Sequence, residues 1–368
     1  MYDTSRPEWG DWRWQLKNRI HTVEQLRRVI DLTDEEADAA ERASRRFPLA
    51  ISPYYAGLMD RADRDCPIRR QVVPSGEELV DPHGLPDPID EVRRSPVRNV
   101  IHIYPDRVAF AVFDVCPVFC RFCFRKRLFD PNIDPPPSGF IDEGIDYIAR
   151  TPEIRDVLVT GGDPLMATDA WLEQLLTRIR AIRHVEIIRL GTRMPVALPQ
   201  RITRELCRML ERFHPMWMNT HFNHPKELTP EAARACDLLT KAGIPLGNQT
   251  VLLKGINDDP ATMRKLVHGL LAMRVRPYYL FQCHLVEGTS HFRTSIEKGV
   301  EITKSLRGHT SGLANPLFVV DTPRGKVPIL PHSGVRGRQG DEVVLETYDG
   351  GEWREYNPRD RDGGASGV

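Results

Sequence analysis

The chain has 368 residues, with 51 Lys plus Arg against 51 Asp plus Glu, so its formal charge cancels. That balance argues against a generic nucleic-acid or acidic-membrane binder, which carries net basic charge. A content of 40% hydrophobic and 28% charged residues excludes a disordered chain and leaves room for one large domain or two ordinary ones.

The opening MYDTSRPEWGDWRW has neither the basic nor the apolar region of a signal peptide, and no apolar run approaches the roughly 18 residues of a membrane span. A cytoplasmic protein is expected. Residues 1–95 read as a charged helical region, with WRWQLKNRI, TVEQLRRVIDL and DEEADAAERASRRF at helical spacing behind Thr or Asp start signals. From about residue 100 short apolar runs alternate with amphipathic helices. Strands are expected at 108–113, 156–160, 185–190, 216–219, 246–253, 277–282 and 317–321. Helices are expected at 169–183, 202–213, 230–242, 261–273 and 295–306, the first with Trp171, Leu172, Leu175, Leu176, Ile179 and Ile182 on one face. Repeated β-then-α units imply a parallel sheet, open or closed into a barrel, with ligands at the C-terminal strand ends. The core is placed at 96–335 and a C-terminal extension at 336–368, with a flexible end from Gly350. The Pro135-Pro136-Pro137 run is read as an ordered loop.

Seven cysteines in a chain without an export signal do not suggest a disulfide framework. Cys66, Cys207, Cys236 and Cys283 are scattered and read as small buried hydrophobes. Cys116, Cys120 and Cys123 differ, because they form a C-x3-C-x2-C loop directly after an expected strand. Three thiolates on one loop hold three irons of a 4Fe–4S cluster and leave the fourth open to a small molecule. A structural zinc site wants four ligands, and no second Cys or His pair lies nearby in sequence.

This loop resembles the signature of the radical S-adenosylmethionine superfamily. The wider chain resembles the lysine 2,3-aminomutase family through WGDWRWQLKNRI, ISPYYAGLMD, CPIRRQ, YPDRV, CPVFCRFCFRKR, LVTGGDPL, GTRMPVALPQRIT, NTHFNHPKEL, GNQTVLLKGIND, PYYLFQC and HFRT. The resemblance implies a partial (β/α)6 TIM-like barrel with an N-terminal helical extension. It also implies a 2,3-aminomutase in which reductive cleavage of S-adenosylmethionine gives a 5′-deoxyadenosyl radical that takes a hydrogen atom from the substrate β-carbon. The expected cofactors are the 4Fe–4S cluster, S-adenosylmethionine and pyridoxal phosphate. The expected partners are a free amino acid, an electron donor such as flavodoxin or ferredoxin, and a second copy in a homodimer. No cysteine follows Cys283, so the zinc-linked tetramer of lysine enzymes is not expected.

Residue roles carry over by motif. Gly161, Gly162 and Asp163, after Thr160, match the turn at the S-adenosylmethionine amino group, and His221 and Gln249 match residues beside that cofactor. Lys326 takes the place of the Schiff-base lysine, although the glycine run before it is two residues shorter and contains Arg324. Arg107 matches an arginine facing the cofactor phosphate, and Ile103 stands where the family often has another. Arg125 matches the clamp on the substrate carboxylate; the alternative for an arginine in FRKR is a solvated basic run. Of the two aspartates that bind the distal amine in lysine enzymes, Asp321 is kept and His284 replaces the other. A basic amino acid, lysine first and arginine close behind, is therefore expected. The competing readings are another radical reaction on an amino acid, modification of a protein lysine, and an iron–sulfur electron-transfer or sensor protein.

Overall fold

The computed structural model describes residues 4–129, 138–330 and 334–357. The Pro135–Pro137 run and the chain end beyond residue 357 lie outside them. Nine strands form one sheet in chain order: β1 (Val100–Tyr104), β2 (Arg107–Phe113), β3 (Asp156–Gly161), β4 (Ile187–Gly191), β5 (Met216–Thr220), β6 (Leu246–Leu252), β7 (Val275–Gln282), β8 (Leu317–Thr322) and β9 (Gly325–Pro328). Strands β2 to β8 run parallel, and an antiparallel strand closes each edge, β1 on β2 and β9 on β8. Helices Phe140–Arg150, Asp169–Arg180, Arg204–Glu211, Pro230–Lys241, Pro260–Ala272 and Ile296–Leu306 follow β2 through β7 in turn. This is the (β/α)6 barrel that the resemblance implies, built on the parallel sheet expected from the alternation, with hairpins added at both edges.

Local chemistry starts each unit. Thr168, Thr203, Thr229, Asp259 and Ser295 each accept a backbone N–H at the start of the helix that follows, replacing a partner the first turn otherwise lacks. On helix Asp169–Arg180, Leu172, Leu175, Leu176 and Ile179 are fully buried against the sheet. Trp171 and Ile182 flank that stripe half-covered. The N-terminal helices Trp12–Lys17, Val23–Arg27 and Asp34–Arg46 lead into a segment whose Ile51, Tyr54, Tyr55, Ile68 and Val72 pack into the same hydrophobic core as the barrel strands.

Several features depart from the sequence reading. Strands β1 and β9 and helix Phe140–Arg150 were not anticipated. The segment from Gly350, expected to be flexible, contains β12 (Glu352–Tyr356), which pairs with β11 (Glu342–Glu346) and through it with β10 (Val335–Gln339). Every residue of β10 and β12 is exposed, so no buried face imposes the alternation that reveals a strand in sequence. Among the described residues no helix is long and apolar enough to cross a membrane.

Candidate active site

A cavity of about 1030 Å³ occupies the barrel. It reaches from Cys116, Cys120 and Cys123 beyond the C-terminal strand ends to Asp156 and Arg276 near the N-terminal ends. Its volume lies at the upper end for ligand pockets, enough for more than one small molecule.

The cysteine loop follows β2 and is braced by the N-terminal region. Arg19 Nη1 donates to the Cys116 carbonyl (2.7 Å), Phe119 N to Ala50 O (2.9 Å) and Arg121 N to Gln71 O (2.8 Å). Burial, then neighbouring charge, pushes the Cys116 thiol well up and the Cys123 thiol up to about 11. Iron relieves that cost, since coordination deprotonates a thiol outright. Among the described residues no group of three or more His, Cys, Asp or Glu closes round a single metal ion. Three thiols on one short loop lining the cavity fit three corners of a 4Fe–4S cluster.

The basic residues around this loop are not a solvated run. Arg121 and Lys126 reach Glu78 (2.7 and 3.0 Å), and Arg125 and Arg127 reach Glu91 (2.7 and 2.8 Å), with both carboxylates buried. Burial alone would raise either carboxyl, but the adjoining cations outweigh it and hold both below the usual range. Glu78→Ala leaves Arg121 and Lys126 buried and uncompensated. Its unfolding free energy in urea is expected to fall by about 3–5 kcal/mol, with Glu78→Gln falling less.

Arg125 spends Nε and Nη2 on Glu91, and Nη1 donates to Thr160 Oγ1 (3.0 Å). A guanidinium has five N–H groups, so one remains on each Nη, the pair that suits a carboxylate. The residue lines the cavity, as the expected clamp requires.

The Thr160–Asp163 turn joins the end of β3 to the start of the cysteine loop. A Cβ at Gly161 or Gly162 would collide with the backbone of Phe113 or Val115, and Gly161 has φ +120°. These glycines therefore serve close packing between chain segments. The Asp163 carboxylate accepts from Thr192 Oγ1, Arg193 N and Leu165 N, so in this structure it acts as a brace. His221 lines the cavity with Nε2 buried and unpartnered, and Asn219 Nδ2 is unpartnered likewise. Burial, then the Arg193 charge, pushes the His221 imidazole down to about 3, so it is neutral. Gln249 lines the same wall. Unsatisfied buried polar atoms facing a cavity fit a polar ligand such as S-adenosylmethionine.

Lys326 stands on β9 directly across from Asp321 on β8, and Pro323-Arg324 make the turn between the strands. The two-residue shortening therefore yields a tight hairpin. Lys326 Nζ lies in the cavity 3.4 Å from Asp321 Oδ2, and its backbone N donates to the Tyr104 hydroxyl (2.7 Å). Arg107 stacks on the Tyr104 ring (3.8 Å) and pairs with Asp106 (2.7 Å), also on the cavity wall. An amine on a fixed strand with an arginine near the same tyrosine fits pyridoxal phosphate. His284 stacks on Phe124 (centroids 4.5 Å apart, 23° between planes). Its Nε2 is 3.6 Å from Asp321 Oδ2, too long for a hydrogen bond.

Three residues central to this arrangement were not singled out from sequence: Glu78, Glu91 and Arg193. Arg193 belongs to the quoted stretch GTRMPVALPQRIT, but nothing local pairs it with Cys120, 73 positions away. Glu78 and Glu91 flank the stretch at residues 82–88, far in sequence from the cations they meet.

Residues 110–267 match the Radical SAM superfamily, and residues 303–362 match the Lysine-2,3-aminomutase C-terminal family. The L-lysine 2,3-aminomutase of Fusobacterium nucleatum is 51% identical over 93% of this chain and 81% of that protein. The L-lysine 2,3-aminomutase of Clostridium subterminale is 49% identical over 95% and 84%. The glutamate 2,3-aminomutase of Clostridioides difficile is 45% identical over 93% and 82%. With near-full-length identity of this order and a barrel that carries the three-cysteine loop at its mouth, the chain belongs to the lysine 2,3-aminomutase family of the radical S-adenosylmethionine superfamily.

Proposed function

We propose that this enzyme moves the α-amino group of a free basic amino acid, L-lysine first, to the β-carbon. Its family makes it an isomerase that uses a 4Fe–4S cluster and S-adenosylmethionine, and pyridoxal phosphate is the third cofactor in this reading. When bound, these groups supply an electron, a hydrogen-abstracting radical and an aldehyde that accepts the amine.

The chain's own residues position the substrate. Cys116, Cys120 and Cys123 would hold three irons of the cluster. His221 accepts a hydrogen bond as a neutral imidazole, with Gln249 and the Gly161-Gly162 turn beside it. Lys326 would hold pyridoxal phosphate through its aldehyde, and Arg107 would hold the phosphate. The two free N–H groups of Arg125 take the substrate carboxylate, and Asp321 attracts the distal ammonium. The barrel wall keeps the reacting C–H in one orientation and away from bulk water.

The observation that carries the substrate class is the pairing of cation and anion across one cavity. Arg125 and Asp321 both line it and lie close enough for the Asp321 charge to strengthen the Arg125 cation. An amino acid with a second amine matches both ends, whereas glutamate would bring a carboxylate to Asp321. The test is an anaerobic assay of cluster-reconstituted protein with all three cofactors and dithionite. Lysine, arginine, ornithine and glutamate are offered, and β-amino acids are read by mass spectrometry. Product from a basic substrate is expected; product from glutamate alone would overturn the assignment.

His284 gives a specificity prediction. Restoring a second carboxylate with His284→Asp is expected to lower the lysine KM roughly tenfold, about 1.4 kcal/mol, with a smaller effect on kcat. An unchanged KM would remove His284 from the distal subsite. A flavodoxin- or ferredoxin-type donor, a homodimer and cytoplasmic residence complete the reading; seven free cysteines suit a reducing compartment.

A further inference from the structure

Arg193 is a buried cation that contacts one of the three loop thiols. Its Nη1 lies 2.7 Å from Cys120 Sγ. The rest of the guanidinium is fixed: Nε donates to His221 O (3.2 Å), and Nη2 reaches Tyr55 Oη (3.0 Å), Gln71 Oε1 (2.7 Å) and Glu227 Oε1 (2.8 Å). Its backbone N donates to Asp163 Oδ2 (2.8 Å). Glu227 is itself fully buried, and its other oxygen accepts the backbone N–H groups of Asn223 and His224. The side chain therefore cannot turn away from the sulfur without breaking a network in which every partner is satisfied. Tyr55 and Gln71 come from the N-terminal region, so that extension sets the geometry at the cysteine loop.

A hydrogen bond to a cluster sulfur and the net charge nearby both set the reduction potential of an iron–sulfur cluster. Charge-assisted bonds are about twice as strong as neutral ones. A cation aimed at a ligand sulfur favours the form carrying the additional electron. We propose that Arg193 is a positioning residue for electron entry: its Nη1–H bonds the Cys120 thiolate and raises the reduction potential of the cluster, and the buried Glu227 carboxylate opposes it. This rests on Cys120 being a cluster ligand. It makes no use of the substrate.

The test is an anaerobic redox titration of the reconstituted full chain, followed by electron paramagnetic resonance, with iron counted in each sample. In Arg193→Gln the reduced-to-oxidised ratio at a fixed potential is expected to fall roughly tenfold, a downward shift of ~59 mV for one electron. Arg193→Lys, which keeps the charge, is expected to recover part of the shift. Glu227→Gln, which removes the opposing charge, is expected to shift the midpoint upward. An unchanged midpoint in Arg193→Gln at full iron content would overturn the proposal. So would downward shifts in both Arg193→Gln and Glu227→Gln, the signature of water entering a loosened site. If Arg193→Gln fails to retain iron, Glu227→Gln decides alone, and no upward shift overturns it. A wild-type protein that titrates as expected yet forms no β-amino acid would sink the substrate assignment and leave this inference standing.

Discussion

Cys120→Ala is expected to abolish the cluster signal and to reduce S-adenosylmethionine cleavage under dithionite by roughly 10³-fold or more, about 4 kcal/mol or more of barrier. Two thiolates cannot hold the three irons that leave a single open corner, and no nearby thiol substitutes. Cys66, Cys207 and Cys236 are built into the main core, Cys283 is fully buried, and none of the four lines the cavity. The substitution also removes the acceptor of Arg193 Nη1, leaving a cation balanced by Glu227. Cys120 itself is only half-buried, so the fold should survive, with the unfolding midpoint near wild type by circular dichroism. Cleavage at the wild-type rate in a folded variant would remove Cys120 from the cluster and with it the radical scheme.

The barrel was legible because its rules are local. Short apolar runs specify β2 to β8 to within two residues, and capped amphipathic helices follow β3 to β7. The cysteine loop was legible because one short segment carries all its ligands. The electrostatics around it were not. A solvated basic run stands as the alternative for Arg125 in FRKR, because the glutamates that bury Arg125, Lys126 and Arg127 lie far away in sequence. The Gly161-Gly162 pair was recognised, but its close packing against Phe113 and Val115 was not, because those residues belong to another segment of the chain. Sequence gives residue types at short range; partners more than thirty positions apart become visible only once the chain is folded.

Lys326→Ala is expected to produce the opposite pattern from Cys120→Ala. Adding pyridoxal phosphate to the variant should give no imine absorbance, and β-amino acid formation should fall by roughly 10²–10⁴-fold. Reductive cleavage of S-adenosylmethionine should persist, because the cluster ligands and His221 lie in the segments that follow β2 and β5, not on β9. The shortened glycine run is the reason to doubt this lysine from sequence, since two fewer residues change a loop's reach by several ångströms. The hairpin answers that doubt. The turn at Pro323-Arg324 sets Lys326 opposite Asp321, and Gly325, at φ +107°, lets β9 approach the Tyr104 ring closely enough for the Lys326 backbone bond to its hydroxyl. The amine is then fixed by strand register instead of loop length, with Asp321 Oδ2 3.4 Å away. Borohydride reduction of the wild-type protein with pyridoxal phosphate, followed by peptide mass spectrometry, should place the added mass on Lys326. Label on another lysine, or an imine band retained in Lys326→Ala, would reassign the residue. Loss of S-adenosylmethionine cleavage in Lys326→Ala would mean that the two parts of the cavity are not chemically separable, contrary to their placement in separate segments, the loop after β2 and strand β9.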